Sequence, residues 1–336
     1  MPRLRRSNPD GPGWTRRRSG KGFVFLDQHG QRLSDPEQIQ RLRALVIPPA
    51  WENLWLSPYP NGHIQAIGTD AAGRRQYIYH EQWIHERADK KHAHVTDFAR
   101  KLPGARTIVQ EHLELPGLPR ERALAAAFRL LDLGLFRVGG ESYAEEHGSF
   151  GLATLRKEHL RISQGAMHFE YTAKSGQHRK IRIEDDQVLP VVQQLRRRRG
   201  GSDELLAYRA RHHWSDVSSA DINAYVKEVV APDASAKDFR TWHATVLAAV
   251  ALSGRPEPAS ATALKRVVGQ AMKEVSEYLG NTPAVCRASY VDPRVIERFA
   301  EGMTISPALR RAAPGRQNHP TGDTGIERAV LRLLRD

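Results

Sequence analysis

Five side chains spread along the chain have the types needed to break and rejoin a phosphodiester without metal or nucleotide. They are Arg137, Lys174, Arg240, Asn281 and Tyr290. A tyrosine can be the oxygen nucleophile, but a free phenol has a pKa of about 10 and needs cations nearby to ionise near neutral pH. The attacked phosphorus gathers negative charge on its non-bridging oxygens. Preorganised arginines stabilise that charge, and losing one such donor typically costs on the order of a hundredfold in rate. The leaving sugar oxygen needs a proton, which a positioned lysine can supply. The product is a covalent phosphotyrosine, which keeps the bond energy and permits resealing without ATP.

The local settings of the five suit these tasks. Arg137 follows an apolar stripe and precedes Gly139-Gly140, as a charged side chain aimed at a close ligand would. A structural ion pair at a helix end fits it equally well. Arg240 is read as lying in the first turn of a helix capped by Asp238, where a bound anion would be favoured. Lys174 stands just before the turn Ser175-Gly176 of a hairpin that could reach into a groove. Asn281 follows Gly280 and stands nine residues before Tyr290 in the segment Arg287-Ala288-Ser289-Tyr290. Taken singly, each residue has an ordinary structural reading. Their joint order is what carries the signal.

The formal net charge of +13 and pI near 10.1 point to a polyanionic partner. Arginine supplies 40 of the 51 basic residues and suits bidentate phosphate contacts. The single cysteine, Cys286, excludes an internal disulfide and fits a reducing compartment. The sequence shows no apolar run of membrane-spanning length and no signal-peptide core. A cytoplasmic, nucleoid-associated protein is expected.

The elements that must position these groups fall into two parts, an α+β organisation. Residues 1–85 read as a small strand-rich domain, with 1–21 as a mobile or loosely docked basic arm. Within it, Gly22–Leu26, the stretch Leu54–Ile67 and Arg75–Tyr79 read as strands, and Asp35–Val46 as a short helix. Residues 86–336 read as a larger, mainly helical catalytic domain. Its stripes are Leu124 to Leu135, Trp242 to Val250 and Leu264 to Leu279, the last ended by Gly280. Asp292-Pro293 opens a further helix. Alternation over Met167–Ile183 predicts a β-hairpin inside this helical domain.

The chain resembles the type IB DNA topoisomerases, in particular their compact poxvirus-like bacterial branch. The resemblance runs from about Gly22 to Phe299. It rests on Ile47-Pro48-Pro49-Ala50-Trp51, Gly73-Arg74-Arg75-Gln76-Tyr77-Ile78-Tyr79, Phe136-Arg137-Val138-Gly139 and Gly151-Leu152-Ala153-Thr154-Leu155. Lys237-Asp238-Phe239-Arg240-Thr241-Trp242 and the segment from Gly280-Asn281-Thr282-Pro283 to Tyr290 complete it. The resemblance implies relaxation of supercoiled duplex DNA by a monomer through a 3′-phosphotyrosine intermediate. It implies Tyr290 as nucleophile, Arg137 and Arg240 on the scissile phosphate, and Lys174 as general acid. Asn281 stands where histidine is usual, and an amide can donate a hydrogen bond but carries no charge. Gln76, Tyr77 and Tyr79, with Arg74, Arg75 and Lys237 in matching segments, are implied DNA contacts, the two domains closing on the duplex as a clamp.

Two rivals are weighed. A tyrosine recombinase shares the constellation, but usually carries histidine where Lys237 stands and begins with helices rather than strands. A DNA-binding clamp without chemistry is opposed by the intact set of five. His92, His94, His212 and His213 lack a completing ligand set and read as solvated, and Arg196–Arg199 reads as a solvated patch adding non-specific, salt-sensitive affinity.

Overall fold

The computed structural model describes residues 3–140, 148–311 and 322–335. The chain divides into two compact units, Met1–Ala93 and His94–Asp336. The class is α+β, with strands dominating the first unit and helices the second.

In the first unit β1 (Thr15–Ser19) pairs antiparallel with β2 (Gly22–Leu26). Strands β3 (Glu52–Leu56), β4 (Ile64–Thr69) and β5 (Arg75–Tyr79) form an antiparallel sheet in that order. Helix α1 (Pro36–Ala44) starts at Asp35, whose carboxylate accepts from the backbone of Glu37 and Gln38, with proline in the tolerated first turn. Phe25, Leu42, Ile47, Leu56 and Ala66 make the core. The basic arm expected over 1–21 is docked where it is described. The Arg5 backbone donates to Asn61, Trp14 exchanges bonds with Leu56, and the Arg16 guanidinium donates to the carbonyls of Ile47 and Pro48 at 2.9 and 2.6 Å. Backbone pairing, Arg16, the Ser7 hydroxyl on the Ile64 carbonyl and the Trp55 indole on the Gly11 carbonyl dock this segment without an apolar period.

Helix α2 (Glu81–Leu113) starts in the first unit and supplies the opening helix of the second. Then come α3 (Arg120–Gly134) and a sheet of β6 (Leu160–Ser163), β7 (Ala166–Ala173) and β8 (Gln177–Ile183). The expected hairpin is β7–β8, with β6 added along β7. Helix α4 (Leu189–Arg197), the pair β9 (Ala207–Ala210) and β10 (His213–Asp216), and α5 (Ser219–Val229) lead to α6 (Ala236–Ser253). Helices α7 (Ala261–Leu279), α8 (Pro283–Ser289), α9 (Pro293–Ala300), α10 (Ser306–Arg311) and α11 (Thr324–Leu333) follow among the described residues.

Helix α6 is buried along most of its length and is the axis of the unit. Phe239 on α6 meets Phe98 of α2 and Phe128 of α3 edge-on, with ring centres 5.0 and 4.9 Å apart. Such pairs add about 0.5–1.5 kcal/mol beyond their buried area. A buried polar network fixes the same helix. Arg106 of α2 grips Asp132 of α3 at 2.8 and 2.9 Å and Glu327 of α11 at 2.6 and 2.8 Å. His243 on α6 bonds Asp132 at 3.1 Å, and Trp242 donates to Glu327 at 3.3 Å. Burial would raise the Asp132 pKa, but Arg106 and His243 hold it far below the usual carboxylate range.

One arginine of the run 196–199 is not the solvated group expected. Arg198 is buried, and its guanidinium donates to the carbonyls of Leu195, Ser202, Glu204 and Leu205. It ties the end of α4 to the loop before β9.

Removing one partner of a buried ionic network leaves the others uncompensated, at a cost of about 3–5 kcal/mol. Asp132→Ala is therefore expected to lower the unfolding free energy of the second unit by about that amount. A urea titration followed by tryptophan fluorescence checks it, and a loss under about 1 kcal/mol would show that the network is dispensable.

Candidate active site

Tyr290 lies at the C-terminal end of α8, a seven-residue helix begun by Thr282 and Pro283, whose one buried residue is Cys286. Its carbonyl faces the Thr245 hydroxyl of α6 at 3.4 Å, and the same hydroxyl accepts from the Asp292 backbone at 3.1 Å. Tyr290 is only 9% exposed.

Arg240 stands beside it. Its guanidinium carbon lies 5.5 Å from the centre of the Tyr290 ring, and its charge acts on the phenol. Arg240 is not in the first turn of its helix. Ser235 is the N-cap, and Asp238 completes a capping box by bonding back to Ser235, which moves Arg240 into the second turn. There it is buried, and its two terminal nitrogens donate to main-chain carbonyls, Leu135 just beyond α3 and Leu279 at the end of α7, the latter at 2.7 Å. Helix C-termini carry partial negative charge, so they suit a cation. Burial, then repulsion from Arg137, lowers its pKa to about 10, which still leaves it charged at neutral pH.

Arg137 is held by its own loop. The backbone of Leu152 donates to the Arg137 carbonyl and that of Ala153 to Val138, both at 2.8 Å. The glycine following has a backbone cause, not the ligand approach expected. Gly139 has φ +85°, and a Cβ on Gly151 would lie 2.4 Å from the Gly139 Cα. The neighbouring Phe136 packs edge-on against Phe169 of β7 and stacks on Tyr171, with ring centres 5.1 and 6.0 Å away. Arg137 donates to the Asn281 side-chain oxygen at 2.5 Å.

Asn281 follows Gly280, which ends α7 in the left-handed conformation at φ +62°. Its amide nitrogen is buried with no partner, and so is Nε of Arg240. Orphaned buried donors are costly and point to an acceptor that completes them. Lys174 sits inside the turn Lys174–Gly176 at the exposed hairpin tip, where Ser175 and Gly176 both take positive φ. Lys237 is exposed in the first turn of α6, and its charge also bears on Tyr290.

A residue not singled out from the sequence joins this group. Arg179 on β8 is the register partner of Tyr171 and interacts electrostatically with Arg137 and Arg240. The signal was present, since Arg179, Ile181 and Ile183 share one face of a strand. Among the described residues no carboxylate pairs with Arg137, Arg179 or Arg240. Burial would raise the Tyr290 pKa, but Arg240 first and then Arg137 and Lys237 hold it below the ordinary phenol value.

In the first unit, Arg75, Tyr77 and Tyr79 line one face of β5. Tyr77 and Tyr79 are 41% and 38% exposed and stack at 5.9 Å, with Arg75 over Tyr77 at 5.6 Å. Arg74 and Gln76 turn instead to Asp70, at 2.9 Å each.

His94 and His92 are not solvated. His92 is buried, and His94 bridges Asp233 and Asp238 at 3.1 Å each. Among the described residues no histidine, cysteine or carboxylate group is arranged to hold a metal ion.

Guanidinium groups that no carboxylate among the described residues offsets stand beside a buried, acidified phenol and make this a positively charged site. Residues 80–306 match the family described as eukaryotic DNA topoisomerase I, catalytic core, and residues 22–70 match bacterial DNA topoisomerase IB, N-terminal domain. DNA topoisomerase 1B of Acanthamoeba polyphaga mimivirus is 30% identical over 295 residues, 85% of this chain and 87% of that protein. DNA topoisomerase 1B of Vaccinia virus (strain Copenhagen) is 19% identical over 239 residues, 69% of this chain and 71% of that protein. The chain belongs to the type IB DNA topoisomerases. The matches do not favour the recombinase or the non-catalytic clamp.

The His94 bridge carries a pH signature. Burial opposes the imidazolium, but Asp238 and Asp233 raise its pKa above 6.5. Its stabilisation is therefore full below the unfolded value and fades as pH rises through the folded one. Imidazole NMR should give His94 a midpoint above about 6.5, the ordinary histidine value. A midpoint at or below that value would show that the two carboxylates do not act on it.

Proposed function

We propose that Tyr290 cuts one strand of duplex DNA and holds its 3′ phosphate while torsion is released. The observation that carries this is the gathering of Arg137 and Arg240, with no carboxylate partner among the described residues, beside the Tyr290 phenol. In the forward step the phenol, acidified by Arg240 and Arg137, releases its proton to water, its oxygen bonds to phosphorus, and the bond from phosphorus to the 5′ oxygen breaks. Lys174 gives that oxygen its proton. Arg137 and Arg240 stabilise the non-bridging oxygens, and the unpartnered Asn281 amide donates to one of them. Resealing is the reverse, so no ATP enters.

The small domain, placed at 1–85 by sequence, contributes DNA contacts from Arg75, Tyr77 and Tyr79, with Arg74 and Gln76 supporting them through Asp70. Lys237 adds a contact beside the nucleophile. The partner is double-stranded DNA, the enzyme acts as a monomer, and it works in the cytoplasm at the nucleoid. No helix among the described residues is long and apolar enough to cross a membrane.

Tyr290→Phe is expected to abolish relaxation of supercoiled plasmid in EDTA without ATP, while changing DNA affinity by less than about threefold, since one hydroxyl is lost. Mass spectrometry of the trapped adduct should find tyrosine on a 3′ end; relaxation by the Phe variant, or another linking residue, would end this reading. Asn281→Ala should slow single-turnover cleavage by about a hundredfold, as for loss of one oxyanion donor.

Arg75→Ala should weaken DNA binding evenly across sequences and reduce the salt slope by about one. An unchanged slope in a binding titration against salt would place the DNA elsewhere.

A further inference from the structure

Arg179 has contacts that the proposed chemistry does not use. Its guanidinium donates to the Glu277 carbonyl at 3.0 Å and the Tyr278 carbonyl at 2.5 Å, and its charge acts on the Tyr171 phenol. Glu277 and Tyr278 lie in the last turn of α7, where the carbonyls have no partner inside the helix and the dipole favours a cation. The contact is close on its other side too. A Cβ on Gly280 would lie 2.6 Å from an Arg179 nitrogen, so the left-handed glycine also makes room for this side chain.

Two elements meet there. Arg179 is the third residue of β8, and Lys174 is five positions earlier in the turn that precedes the strand. On the other strand of the hairpin, the Thr172 carbonyl accepts from the Phe150 backbone at 2.8 Å. Arg179 holds the β8 strand. At its far end it holds the residues that lead through Gly280 to Asn281.

From this we infer that Arg179 is a positioning residue: it fixes the hairpin tip carrying Lys174 relative to the α7 end carrying Asn281, so that proton donor and phosphate ligand are set by one guanidinium. The inference rests on Lys174 as general acid. It predicts a defect of a particular kind. Removing Arg179 leaves the nucleophile and its arginines in place but misplaces the proton donor.

The test uses the full chain and two duplex substrates, one with the normal 5′ oxygen at the cut and one with sulfur there. A thiol has a pKa of about 8.5, far below that of an alcohol, so the sulfur leaves without a proton. Arg179→Ala should slow single-turnover cleavage of the oxygen substrate by about a hundredfold, the low end of a general-acid contribution. On the sulfur substrate it should cleave within about threefold of the unaltered enzyme, as Lys174→Ala should. Equal slowing on both substrates, with Lys174→Ala rescued, would overturn the positioning role and leave Lys174 in place. Failure of sulfur to rescue Lys174→Ala would overturn the general-acid reading and this inference with it. Normal cleavage of the oxygen substrate by Arg179→Ala would also overturn it. If the alanine variant does not fold, Arg179→Lys, which keeps the charge and loses the planar fork, is read by the same comparison.

Discussion

The structure of the second unit depends on a buried cation that no carboxylate among the described residues pairs with. Arg240 lies in the core, where an unpaired charge is normally expensive. What makes it tolerable is two backbone carbonyls at the ends of α3 and α7. These carry only partial charge, so they hold the guanidinium in place without neutralising it. A carboxylate in the same position would have made a stronger pair and cancelled the charge. Arg179 repeats the device on the two carbonyls just before Leu279 in α7, and Arg137 leans on a neutral amide. The charges of Arg240 and Arg137 thus bear directly on Tyr290.

Such a site needs a rigid support, and charges are treated in the opposite way behind it. Two residues beyond Arg240 on the same helix, Trp242 reaches Glu327, and His243 reaches Asp132. Arg106 joins both carboxylates. On this side Arg106 has two carboxylates and His243 bonds one of them, and helices α2, α3, α6 and α11 are tied together. Helix α6 thus joins a balanced interior to an unbalanced site, and its position is set by the first so that the second can be reached.

The sequence disclosed the architecture where one local rule governed. Gly280 could be read as a helix end because φ there is positive, and Asp292 because its carboxylate caps α9. The hairpin was legible from strict alternation at Met167, Phe169 and Tyr171. Errors came where two rules competed. Asp238 is a fair cap by type, but Ser235 three residues earlier claims that position and uses Asp238 as its reciprocal partner. Arg198 sits in a run of four arginines, and nothing local says which one faces four carbonyls. The arm before β2 has no apolar period because its order comes from backbone pairing with distant strands. Arg179 was missed because its partners are main-chain oxygens, which any residue could offer. The five chemically typed residues were recognisable together because their order along the chain resembles a family pattern, a kind of information that no window of local sequence holds.

Helix α8 has a further consequence. It is the whole connection between the amide at 281 and the phenol at 290, and of its residues only Cys286 faces inward. One added or deleted residue would turn the ring by about 100° and shift it by about 1.5 Å along the axis. The outward positions, Val285 and Arg287 among them, can drift in identity because solvent is their environment. This segment works as a gauge whose calibration is its length, so descent can rewrite most of its letters while leaving their number untouched.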